Sequence, residues 1–163
     1  MVVLQRDFPE LVARAEQIVV GTVTEMREQP DDAGTPMTYV TFADLTVLKG
    51  TAGDTLTLRF YGGAAARVPD MPTFNVGERA VLFVAGNGRD VCPLVGVWQG
   101  RFRVQYDDAR HAEVVADNDH APVTGRAGRA LLHAADTGAP AVTLDEFRQL
   151  VADELAHPTG PAQ

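Results

Sequence analysis

The sequence predicts a mostly β fold, a five- to six-stranded barrel with a short N-terminal helix and a C-terminal amphipathic helix packed on it. Three observations carry this. Between about residues 17 and 116, short β-branched, aliphatic and aromatic runs alternate with Gly, Pro, Asn and Asp turns, the rhythm of successive antiparallel strands. Within "MTYVTFADLTVLKG" the apolar phase shifts by one, from Val40 and Phe42 to Leu45 and Val47, which marks a bulge near Ala43 and Asp44. Such a bulge bends a strand as a small barrel requires. Helical spacing is strongest at the two ends of the chain.

Asp7, Pro9 and Glu10 supply an N-cap, a first-turn proline and an acid three residues after the cap, so "DFPELVARAEQ" starts a helix of one to three turns. "QIVVGTVTEM" is the first strand, with Gly21 at a bulge or a close backbone approach. A polar loop, the bulged strand and a "GTAGD" turn lead to "TLTLRFY", which alternates through Leu56, Leu58 and Phe60. "GGAAARVPDMPTFNVGE" is a long irregular connection, of the kind that often carries function. "RAVLFVAG" is apolar throughout, as a strand buried on both faces is. Asn87-Gly88 signals a turn, and "RFRVQY" with "HAEVVA" reads as a hairpin that turns Phe102, Val104 and Tyr106 to one face. Residues 117–141 read as a loop-rich linker with weak helical content in "GRALLHAAD". Thr143 and Glu146 form a capping box for a final helix over about 143–157, and "PTGPAQ" reads as a frayed tail.

A length of 163 residues suits a single domain, 1–163, able to bury a core without a metal or disulfide staple. The net charge of −8 argues against phosphate-backbone binding, which depends on clustered Lys and Arg, and no nucleic acid partner is expected. Serine is absent, which removes Ser-based hydrolases, and Lys49 is the lone lysine. The single cysteine, Cys92, rules out an intramolecular disulfide and reads as a small buried hydrophobe. No apolar run is long enough for a membrane span.

The four histidines, His111, His120, His133 and His157, lack metal-ligand spacing, and no metal or cofactor is expected. "DNDH", Asp117 to His120, lacks the glycine and distal glutamate of a calcium loop and reads as a solvated turn. The pairs Asp31-Asp32 and Asp107-Asp108 sit in polar loops, where neither carboxylate is shielded for acid-base work. The glycine pairs match no phosphate loop. That leaves "GVWQGRFRV", where Trp98, Gln99, Arg101 and Arg103 form the candidate binding group. Two readings stay open: an aromatic and guanidinium contact surface, or a core tryptophan with arginines covering the outer face of a strand.

The succession "ARAEQIVVGTVTE", "VTFADLTVLKGTAGDTLTLRFYGG" and "FNVGERAVLFVAGNGRDVCPLVG" resembles the tissue inhibitors of metalloproteinases and related netrin-like modules over about residues 11–98. It also resembles a group of bacterial proteins that continue with "QGRFRV", many of them exported. The resemblance implies an OB-type barrel and a non-enzymatic module that binds a protein partner such as a protease. It also implies a secreted or periplasmic location, with Met1 standing where a removed signal joined; a cytoplasmic location is the alternative. The inhibitors present an N-terminal cysteine to the protease zinc, and no cysteine precedes Leu11 here, so that mechanism does not carry over. The rival expectations are an enzyme with an Asp, Glu or His site on the barrel rim, or an accessory domain of an exported precursor.

Overall fold

The structure, a computed structural model, describes residues 2–161; Met1, and Ala162 and Gln163 of the expected frayed tail, lie outside it. Helix α1 spans Phe8–Arg14 with the expected box: Asp7 Oδ1 accepts from Glu10 N–H at 2.9 Å while Glu10 Oε1 accepts from Asp7 N–H. Its C-terminal carbonyls are met by Lys49, whose Nζ donates to Val12 O at 2.8 Å, so the lone lysine neutralises the negative end of the helix.

Strands β1 (Gln17–Glu28), β2 (Met37–Lys49), β3 (Leu56–Tyr61), β4 (Arg79–Val84), β5 (Arg101–Asp107) and β6 (Ala112–Ala116) form one antiparallel sheet in the order β3-β2-β1-β4-β5-β6. β4 is buried on both faces, as its continuous apolar run predicts. Val81 and Phe83 join Ile18, Val20 and Phe102 under the helices, while Ala80, Leu82 and Val84 join Val40, Phe42, Leu58 and Phe60 on the other face. The phase shift in β2 is a bulge: Ala43 pairs Thr22 and Thr46 pairs Val20, leaving Asp44 and Leu45 opposite Gly21 alone, with Asp44 at φ 51°. A Cβ on Gly21 would lie 2.8 Å from Leu45 Cδ2, so the residue is glycine because the bulged strand lies against it. Val47, beyond the bulge, faces solvent.

The sheet is open, which corrects the expected closed barrel. The free edge of β3 is occupied by a turn in place of a strand. Asn87 Oδ1 accepts from Arg59 N–H at 3.0 Å, its Nδ2 donates to Thr57 O at 2.9 Å, and Val91 O accepts from Tyr61 N–H at 2.9 Å. With these edge groups satisfied, no closing ladder is required there. Phe74, from the long connection, fills the concave side against Phe42 and Phe60 at ring distances of 5.6 and 5.4 Å.

The expected linker is also corrected. It holds an antiparallel pair, β7 (Val123–Ala127) with β8 (Ala130–His133), followed by a single turn, α2 (Ala134–Thr137). "RALLH" is helical by propensity, yet its backbone pairs with β7, a tertiary choice that overrides the local one. Helix α3 spans Leu144–Ala156, capped reciprocally by Thr143 and Glu146, and buries Phe147 and Val151 on the sheet. The tail is anchored through Gly160: Glu154 accepts from Thr159 N–H at 2.7 Å and Arg129 donates to Gly160 O. Among the described residues, no helix is long and apolar enough to cross a membrane.

Candidate functional site

Trp98 stands on a one-turn 3-10 segment, Val97–Gly100, and not on a strand. The turn is tight. Gly96 and Val97 take φ of 67° and 61°, and a Cβ on Gly100 would sit 2.6 Å from Val95 O. For a β-branched residue such as Val97 the left-handed conformation costs about 1–3 kcal/mol and persists only where the surroundings enforce it. Its effect is to leave Trp98 half-buried between two hollows.

The larger hollow, about 480 Å³, has an apolar floor of Phe8, Leu11 and Phe102. One wall is the N-terminal arm, held by Gln99: its Oε1 accepts from Arg6 N–H at 2.7 Å and its Nε2 donates to Leu4 O at 2.9 Å. Asp7 adds a two-pronged pair with Arg129, at 2.5 and 3.3 Å. Burial pushes the Asp7 carboxyl up, but Arg129, the Glu10 N–H and the neighbouring charges together hold it below its ordinary range. The far wall is the 117–119 turn and β8, where His133 Nε2 lies 3.2 Å from Asp117 Oδ2. Asp117 Oδ1 accepts from the N–H groups of Asp119 and Ala121, each at 2.9 Å, so "DNDH" is the expected turn.

The smaller hollow, about 330 Å³, lies across Trp98 and is closed by Asp70–Thr73 of the long connection, with Arg103 beside them. Trp98, Asn118 and Asp119 line both hollows.

Arg101 takes no part in either lining. It is 1% exposed, which corrects the picture of arginines on an outer face. Its guanidinium lies 4.6 Å over the Phe74 ring, donates to Thr73 O and to Asn118 Oδ1 (2.7 Å), and faces Glu78 at 3.5 Å. Burial first, and then the like charge of Arg103, lower its pKa to about 10 despite Glu78, still far above neutrality. It is a structural rivet between the long connection and the 117–119 turn. Arg103 is half-buried and donates to Asn118 O at 2.8 Å. Tyr106, expected on the core face with Phe102 and Val104, is 60% exposed because β5 runs past the edge of the core there.

Of the four predicted residues, then, Trp98 and Gln99 reach the larger hollow, Trp98 and Arg103 the smaller, and Arg101 supports both from behind. Reading by sequence missed Arg129 and His133, because the hairpin that presents them looked helical, and missed that the "DNDH" turn faces Trp98. Cys92 is half-buried, and desolvation raises its thiol to about 11, the inert state expected of it. Among the described residues, no cluster of three His, Cys, Asp or Glu is placed to hold a metal ion. No protein-family model, curated protein or solved structure matches the chain.

Proposed function

We propose that this chain is a non-enzymatic binding module that seats an extended segment of a partner protein, a protease being one class of such partner, across Trp98. One observation carries the reading: two adjoining hollows share the only tryptophan of the chain as their common wall. An extended peptide places successive side chains in neighbouring depressions, and tryptophan is enriched among the anchors of protein recognition. The strained Val97 backbone that presents the indole supports it too. The OB-type kinship that the resemblance implies is supported by the long β1 shared between the bulged β2 and β4, and by the long connection converging with "VWQGRFR" on one side of the sheet.

Selection of random heptapeptides displayed on phage, run in parallel on the wild-type protein and on Trp98→Ala, tests it. Families of sequences enriched by the wild type are expected to bind the variant at least about tenfold more weakly. Identical enrichment by both proteins overturns the proposal.

A second reading, an enzyme with an Asp and His on the rim, is favoured by the His133–Asp117 contact alone. No hydroxyl or thiol side chain lines that hollow, so the pair would have to activate water. His133→Ala tests the second reading: it would abolish hydrolysis, whereas a protein that only binds has no hydrolysis to lose.

A further inference from the structure

We infer that the Trp98 cleft selects a basic side chain, that of arginine or lysine, as its occupant; the inference rests on the peptide-binding reading above. Every arginine lining the two hollows already faces a carboxylate: Arg129 is paired with Asp7, Arg6 faces Glu10 at 3.0 Å, and Arg103 lies 3.8 Å from Glu78, the last two carboxylates being shared with Arg14 and Arg101. Of the lining carboxylates only Asp7 is matched by an arginine in return. Among the described residues, no arginine or lysine lies within ion-pair distance of Asp70, Asp117 or Asp119, and Asp117 faces only the imidazole of His133.

Carboxylates on a turn are ordinarily just solvated. Here Asp117 and Asp119 border an apolar floor and the half-buried Trp98 indole. An arginine or lysine fits both halves of that surface: its aliphatic stem covers the apolar floor, and its cationic head meets the indole face and the free carboxylates. A neutral apolar side chain would use the floor and leave the acids unmatched. An acidic one would be repelled. The overall charge of −8 steers a cationic segment toward the protein before contact.

The test uses three dye-labelled pentapeptides, identical except for a central arginine, norleucine or glutamate, titrated by fluorescence anisotropy at low salt. The arginine peptide is expected to bind about tenfold or more tighter than the norleucine peptide, with a preference that shrinks as salt is added. The double variant Asp117→Asn, Asp119→Asn should cut the ratio of arginine to norleucine affinity at least about threefold, leaving only the contribution of Asp70. Asparagine preserves the Oδ1 acceptor that holds the turn, and far-UV circular dichroism checks that the fold is retained. Equal binding of the arginine and norleucine peptides, or tightest binding of the glutamate peptide, overturns the basic selectivity and leaves the peptide-binding reading standing. Absence of binding by all three at millimolar concentration overturns both.

Discussion

The hollow under the long connection, about 590 Å³, is larger than the one beside Trp98, about 480 Å³, and the two are built for different purposes. Met26, Val40, Phe60, Val68, Met71 and Phe74 line the first, its Glu28 is already occupied by the Ala64 N–H at 2.9 Å, and its remaining charges, Arg67 and Asp70, are one of each sign. The second brings an indole, a His–Asp contact and unmatched carboxylates to an apolar floor. Volume alone would choose the first. Recognition depends on convergent polar groups with capacity left over, and that chooses the second. The first hollow is the underside of a loop that completes the core.

Phe74→Ala is the strongest way to break this comparison. Phe74 is buried against Phe42 and Phe60 and carries the Arg101 guanidinium, so its loss should cost about 3–5 kcal/mol in urea unfolding. A cost under about 1 kcal/mol would mean that the connection is not part of the core, and the distinction between the hollows would fail. Arg101→Lys should cost less, about 1–3 kcal/mol, since a lysine cannot serve Thr73 O, Asn118 Oδ1 and the Phe74 ring together. Because Asn118 lines the Trp98 cleft, this variant should also red-shift the Trp98 emission. Unchanged emission would show that the two regions are not coupled through Arg101.

The same comparison shows what the sequence could reveal. The sheet and its helices were legible in outline: β-branched residues in β1, alternation in β2 and β3, the apolar run of β4, the bulge at Asp44 and the two capping boxes are local patterns, each written within a few residues. The Trp98 cleft was only half legible. Trp98 stood out by rarity, but Gln99 grips Leu4 and Arg6 across more than ninety residues, and no periodicity encodes such a contact. Arg101 was misread because β5 begins between two buried layers. Alternation with Phe102 turns Arg101 away from the helices, and the connection carrying Thr73 and Phe74 covers that side too. Strand rhythm likewise says nothing about whether a sheet closes. That was decided by the Asn87 side chain on the edge of β3.

The mildest expected effect concerns the ion pair that frames the cleft. Asp7→Asn retains a good N-cap for α1 and removes only the charge facing Arg129, so the loss at pH 7 should be small, about 0.2–1 kcal/mol. Its pH dependence is the sharper signal. The Asp7 carboxyl is held below its ordinary value in the folded protein, so the stability it adds is fully present above the unfolded-state value, near 3.8, and is lost as pH falls through the lower folded value. Urea unfolding of wild type and variant from pH 7 downward should therefore show a constant gap that narrows only below about pH 4. A gap that is still full well below that point would mean that the Arg129 charge does not hold Asp7. The cleft wall would then rest on neutral bonds, those of Gln99 to Leu4 and Arg6 and that of Phe8 N–H to Arg129 O at 3.1 Å.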